Sequence, residues 1–210
     1  MEKKFPKQIP VFPLSGVIYF PRTNLPLNIF EERYLDLVND SFRSDKLMGM
    51  VQAKKEGKEV YKVGCLGKIS ALKKLEDGRI LINLSGITRF EIIKEINTNK
   101  LYREFQVDYK KFSIDIEKKK RDEIRKNEFD LFLDKAKKFF ENNGLMLNWK
   151  EFSKLDVTQQ INTISMIAPI TNEEKQKLLE TITLRDKTDT LKKIIEFYLY
   201  DKLTNKNTLQ

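Results

Sequence analysis

Histidine is absent from these 210 residues, and cysteine occurs once, at Cys65. Without imidazole there is no Ser-His-Asp or Cys-His nucleophile, and the commonest ligand for zinc, copper or iron is missing. A single thiol forms no internal disulfide and supplies only one of the ligands a structural zinc site takes, so the chain fits a reducing cytoplasm. Cys65 lies between glycines in Val63-Gly64-Cys65-Leu66-Gly67 and reads as a buried structural thiol, since no histidine is available to activate it. No catalytic residue, metal ligand or cofactor site is expected. Carboxylates remain, but with 31 Asp and Glu residues some pair always looks suggestive.

Long apolar runs are also lacking. The longest, such as Val17 to Phe20 and Phe197 to Tyr200, amount to about one helical turn, far short of the roughly 20 residues that cross a bilayer. Pro6, Pro10 and Pro13 interrupt what would have to be the apolar core of a signal peptide after Lys3 and Lys4, so a cytoplasmic location is expected. No phosphate-binding loop GxxxxGK[ST] is present; Gly64 to Lys68 lacks both the glycine spacing and the following hydroxyl, and ATP hydrolysis is not expected. Ser15 and Ser85 each precede a glycine, which is turn chemistry and not a nucleophile elbow.

What the chain does have is charge and pattern. The net charge is +9. Residues 1–112 carry 21 basic and 14 acidic side chains, a net of +7, and residues 113–210 carry 19 and 17. A basic excess invites a nucleic-acid reading. Only nine of the forty basic residues are Arg, however, and Arg provides the fork suited to phosphates and base edges. Dispersed lysines fit weak, non-specific nucleic-acid contacts at most.

Short strand patterns with Pro and Gly punctuation fill the first half and helical patterns the second, which argues an α+β chain with two subdomains, 1–112 and 113–210. Ile9–Leu14 reads as a strand whose prolines place it at an edge or bulge. Tyr34, Val38 and Phe42, with Leu35, give one face of a helix from Phe30 to about Ser44. Leu47–Ala53 is a further strand, and Lys54–Glu59 a charged loop. Val63–Leu75 and Arg79–Ser85 flank Asp77-Gly78, a hairpin turn signal. Thr88–Ile96 and Tyr102–Lys111 continue the strand pattern, and strands at this spacing point to a small barrel or sandwich. After Ile114 the period becomes helical to about Asn142, with Phe129, Phe132, Leu133, Ala136, Phe139 and Phe140 on one side. Helices follow from Asp156 to Ala168, from Thr171 with capping-box spacing to Glu174, and from Leu184 to Leu203.

Val11-Phe12-Pro13-Leu14 with Pro21, then Leu25-Pro26-Leu27-Asn28-Ile29-Phe30-Glu31 and Arg33-Tyr34, resemble the opening of the Lon protease N-terminal domain. Val63 to Ile69, Asp77-Gly78-Arg79, Gly86-Ile87-Thr88-Arg89-Phe90 and Glu174 to Glu180 follow in the family's order, so the resemblance runs from about Ile9 to Leu191. It implies a PUA-like β pseudo-barrel followed by a C-terminal α-helical bundle, and a non-catalytic role in binding unfolded polypeptide or a partner protein. The ATPase and protease of full-length Lon would lie beyond the end of this chain. Glu32 departs from the family, standing where many relatives carry proline.

The candidate polypeptide-binding residues are Phe12, Phe20, Leu25, Phe30, Glu31, Arg33, Tyr34 and Arg89. Phe12, Phe20 and Leu25 form either an exposed apolar groove or core. Phe30 and Tyr34, four apart at a helix start, read first as mutual packing and second as a partner-binding corner with Glu31 and Arg33. Arg89 reads first as half of an internal ion pair and second as a contact for a client carboxylate. The competing functional reading is an RNA-binding PUA-like protein.

Overall fold

The computed structural model describes residues 5–54, 59–117 and 124–207, with side chains described to 201. The chain forms two compact units, Met1–Glu117 and Lys118–Gln210. The first holds β1 (Gln8–Leu14), β2 (Asn24–Ile29), α1 (Glu32–Arg43), β3 (Leu47–Gln52), β4 (Val63–Lys74), β5 (Ile80–Ile96), β6 (Arg103–Asp108) and a 3-10 turn (Lys110–Asp115). The second holds α2 (Lys126–Asn142), α3 (Trp149–Phe152), α4 (Val157–Ile167), α5 (Asn172–Glu180) and α6 (Leu184–Asn207). This is the expected α+β order.

The strands lie in the order β2-β5-β4-β3-β1-β6, and β5 also pairs with β6. Strands β5, β4, β3, β1 and β6 therefore close into a ring, and β2 hangs on the outside of β5. Ile9, Val11, Val51, Leu66, Phe90, Phe105 and Val107 fill one buried cluster of the ring. Gly64 is required there, because a Cβ at this position would come within 2.4 Å of the Met50 carbonyl oxygen and 2.7 Å of the Phe90 ring.

Strand β1 is interior and its pairings run without a register shift, which corrects the expectation of an edge or a bulge. It pairs antiparallel with β6 over Gln8–Val11 and parallel with β3 over Val11–Leu14. The two pairings are staggered, and that stagger accommodates both prolines. The Val107 N–H donates to the Lys7 carbonyl, so alternate residues Ile9 and Val11 turn their backbone groups toward β6. Pro10 then faces the β3 side, where pairing begins only at Val11. Pro13 faces the β6 side, where pairing has already ended. Neither missing N–H breaks a ladder bond. The parallel β1–β3 pair needs a crossover, and α1 provides it by packing on both strands. Its buried stripe is Tyr34, Leu37, Val38 and Ser41. Ser41 lies two turns from Tyr34 on the same line, whereas the expected Phe42 is one position round the helix and 37% exposed.

Arg79–Ser85 and Thr88–Ile96, expected as two strands, are one strand of 17 residues. Bulges absorb its curvature, with register shifts opposite Leu66/Gly67 and between Ile92 and Lys94. The hairpin at Asp77-Gly78 forms as expected, with Gly78 at φ 85° and the Arg79 side chain donating to Asp77. One edge of β5 is covered by β4; the other meets β2 up to Ser85 and β6 from Glu91. In the gap, Arg22 N–H donates to the Gly86 carbonyl, Gly86 N–H donates to Thr23, and the Asp115 carboxylate accepts from the Arg89 backbone N–H at 2.9 Å. Asp115 also takes the Arg89 guanidinium through Nε at 2.9 Å and a terminal nitrogen at 2.8 Å, with the Arg89 and Asp115 side chains 3% and 11% exposed. The 3-10 turn that carries Asp115 replaces the last residues of the strand expected to run to Lys111. The part of the expected helix at 118–123 lies outside the described residues.

In the second unit Phe129, Phe132, Ala136, Phe139 and Phe140 are buried, as the helical pattern requires. Gly144, at φ 68°, follows α2 with its N–H on the Glu141 carbonyl. Thr171 and Glu174 make the expected capping box at the head of α5, and Asp156 with Gln159 makes a second at α4. Lys187 is buried against Asn162, with Nζ 2.8 Å from Oδ1.

Replacing Asp115 by Ala removes three acceptor contacts and leaves a buried guanidinium and a buried N–H. The expected loss is about 3 kcal/mol of stability in urea denaturation; a loss under about 1 kcal/mol contradicts this role.

Candidate functional site

The eight candidate residues divide by depth. Phe12 is 6% exposed, its ring 4.0 Å from that of Tyr34. The Tyr34 hydroxyl donates to the Pro13 carbonyl at 3.3 Å. Burial raises the Tyr34 phenol above its ordinary pKa, with Arg33 pulling it down and Glu31 pushing it up. Phe20 is fully buried. It belongs to the loop between β1 and β2, which folds back on β5: Thr23 Oγ1 donates to the Phe20 carbonyl at 2.7 Å. A Cβ at Gly86 would lie 2.3 Å from that same carbonyl oxygen, so only glycine admits the loop. The exposed groove of Phe12, Phe20 and Leu25 is therefore not formed; the two phenylalanines are core. Arg89 is buried in its ion pair with Asp115, stacked over the Phe112 ring at 4.3 Å. It is not presented to a client.

The other four stay at the surface. Leu25 is half-buried. Phe30 is 66% exposed, and Tyr34 packs on Phe12 in its place, so the expected Phe30–Tyr34 anchor gives way to one between β1 and α1. Glu31 and Arg33 form an exposed ion pair of 2.7 Å, with the Arg33 guanidinium 4.5 Å from the Tyr34 ring centre. Exposed pairs of this kind are worth little in stability.

Sequence reasoning missed the element that links these surface residues, strand β2. Its signal was present: in Asn24-Leu25-Pro26-Leu27-Asn28-Ile29 apolar and polar residues alternate with period two, and the central proline hid it. In the sheet Leu25, Leu27 and Ile29 stand opposite Leu84, Ile82 and Ile80 of β5, on the face that buries those three residues. Leu25 and Leu27 remain half-exposed, because no strand among the described residues lies beyond them. Asn24, Pro26 and Asn28 occupy the solvent face, where Ser85 donates to the Asn24 side chain at 2.7 Å. The Gly86-to-Thr23 bond fixes which backbone groups of β2 are used: those of the odd-numbered residues turn to β5, and those of Asn24, Pro26 and Asn28 turn outward.

Among the described residues no group of three or more His, Cys, Asp and Glu side chains is placed to hold a metal ion. No described helix is long and apolar enough to cross a membrane. An open polar cleft of about 470 Å³ lies between β1, β5 and β6, lined by Lys7, Gln8, Lys94, Glu95, Asn97 and Gln106 among others. Its charges are of both signs.

Residues 8–197 match the family model of the ATP-dependent protease La (LON) substrate-binding domain. The chain is 24% identical to the Lon protease of Heliobacterium modesticaldum, over 90% of this chain and 24% of that protein. It is likewise 24% identical to the Lon protease of Flavobacterium johnsoniae, over 99% of this chain and 26% of that protein. The chain thus spans about a quarter of the length of these relatives. Among solved structures, a Lon N-terminal domain protein from Xanthomonas campestris superposes with a TM-score of 0.65 at 20% identity, covering 90% of this chain and 97% of that one. The N-terminal domain of the Mycobacterium avium complex Lon protease gives 0.63 at 15%, covering 90% and 98%. These likenesses show the fold. Nothing in the comparisons supports a nucleic-acid role.

Because Phe20 is core, Phe20→Ser is expected to cost about 3 kcal/mol or more and to lower the thermal midpoint accordingly. A variant that melts with the parent contradicts this burial.

Proposed function

The chain belongs to the Lon protease substrate-binding domain family, and from that premise we propose that it is a non-catalytic module holding unfolded polypeptide or a partner protein. The observation that carries the reading is Phe30, an aromatic side chain left 66% exposed where β2, the strand of the half-buried Leu25 and Leu27, turns into α1. Exposed apolar surface of this kind, rimmed by charged groups such as Glu31 and Arg33, is what an unfolded client recognises. The binding role falls to the strand-rich part of the chain, read from the sequence as 1–112, and not to the helical part, 113–210. The closed strand ring supports a PUA-like assignment, and the lone buried thiol supports a cytoplasmic setting. Proteolysis and ATP hydrolysis are not part of the proposal.

Phe30→Ser is expected to weaken binding of reduced, carboxymethylated casein by about tenfold, the effect of one aromatic side chain buried on binding. The thermal midpoint should stay at the parental value, since the ring contributes little to the core. Affinity should change little between about 0.1 and 0.5 M salt. Parental affinity in a stable variant removes Phe30 from the site, and a steep loss with salt assigns the binding to the basic surface instead.

A further inference from the structure

We propose that the outer edge of β2 is a strand-addition site, at which an extended client joins the sheet as a further strand beyond β2; the inference rests on the polypeptide-binding reading and specifies how the client is held. β2 has one neighbour, β5, among the described residues. Its outward backbone groups are the N–H and carbonyl of Asn24, the carbonyl of Pro26, and the N–H and carbonyl of Asn28. Hydrated when free, such a row of donors and acceptors is matched in spacing by another extended backbone.

Charge and side-chain pattern define the occupant. Sheet edges are normally guarded by charged residues, above all lysine. From Thr23 to Phe30 this chain has none, although 34% of its residues are charged. The strip is instead bounded by Arg22 at one end and Glu31 at the other. An antiparallel client fits with a basic residue near its N-terminal end, an acidic one near its C-terminal end and an uncharged stretch between. On the face shared with Ile80, Ile82 and Leu84, its alternate side chains would cover the half-exposed Leu25 and Leu27, so those positions must be apolar. On the other face they would meet Asn24, Pro26 and Asn28 and can be polar.

A second copy of this chain is a poorer occupant. Two β2 strands paired antiparallel about a twofold axis place Pro26 opposite Asn24, Pro26 or Asn28 of the copy, and each copy then brings its missing N–H to the interface. A foreign segment meets that gap once. Pro26 acts as a guard against self-association while leaving two donors for a client.

The test uses the full chain and a short peptide with an N-terminal Lys, alternating Val and Thr, and a C-terminal Asp. Two further versions carry N-methyl groups on alternate amides, one on each of the two alternating sets. Backbone pairing predicts that the parent peptide binds, that one methylated version fails and that the other binds like the parent. Asn28→Pro should weaken binding at least about fivefold more than Asn28→Ala, which loses the same side chain but keeps the N–H, the difference being one lost backbone hydrogen bond. Asn28 N–H makes no bond to β5, so the proline variant should keep the parental thermal midpoint; should it unfold, the methylated peptides decide alone. Equal binding of both methylated versions overturns the proposal. Binding of carboxymethylated casein without binding of the peptide also overturns it while sparing the polypeptide-binding reading; binding of neither ends that reading as well.

Discussion

Seventeen residues of β5 have more edge than any single neighbour can cover. β4 takes one side, and the other is shared between β2 and β6, with a stretch between them that no strand reaches. Backbone donors and acceptors left dry in that stretch would each cost about as much as a lost hydrogen bond. The chain meets the requirement with two non-strand pieces. The β1–β2 loop comes back to Gly86 through Arg22 and Thr23, and the turn after β6 brings Asp115 to the backbone and side chain of Arg89. The first drags Ile18, Tyr19 and Phe20 inward; the second ties the 3-10 turn to the ring and extends the first unit to Glu117.

The same division of β5 leaves β2 with one strand partner among the described residues. β6 can close the ring because β5 bends at its bulges and leaves β2 outside that closure. An edge strand with an apolar inner row and an uncharged sequence is ordinarily a hazard for aggregation. In the proposed strand addition that same edge is the client's docking line. In the proposed role β2 and Phe30 supply the surface, and the buried Phe12 and Tyr34 hold it in position. Phe12 and Tyr34 anchor α1 across β1, and α1 begins just after Phe30.

Much of this was legible in the sequence where the signal is local. Asp77-Gly78 marked its hairpin, the Thr171–Glu174 spacing marked its cap, and the phenylalanines of α2 marked their face, because each depends on residues within a few positions of one another. Arg89 was read first as an internal ion pair, and it is one, although its partner 26 residues away could not be named from the sequence. What depends on long-range pairing was read wrongly or missed. Pro10 and Pro13 argue for an edge or a bulge because the staggered β1 pairings cannot be seen locally, and Pro26 conceals a real edge strand. Phe20 lies in a short apolar run that looks the same whether its loop folds inward or outward; Gly86, far along the chain, decides it.

Amide hydrogen exchange of the full chain, with and without saturating carboxymethylated casein, tests the central claim most directly. Strand addition on β2 predicts new protection at the amides of Asn24 and Asn28, while Leu25 and Leu27, whose amides already face β5, change little. Protection confined to other elements, with Asn24 and Asn28 exchanging as in the free protein, would contradict the account.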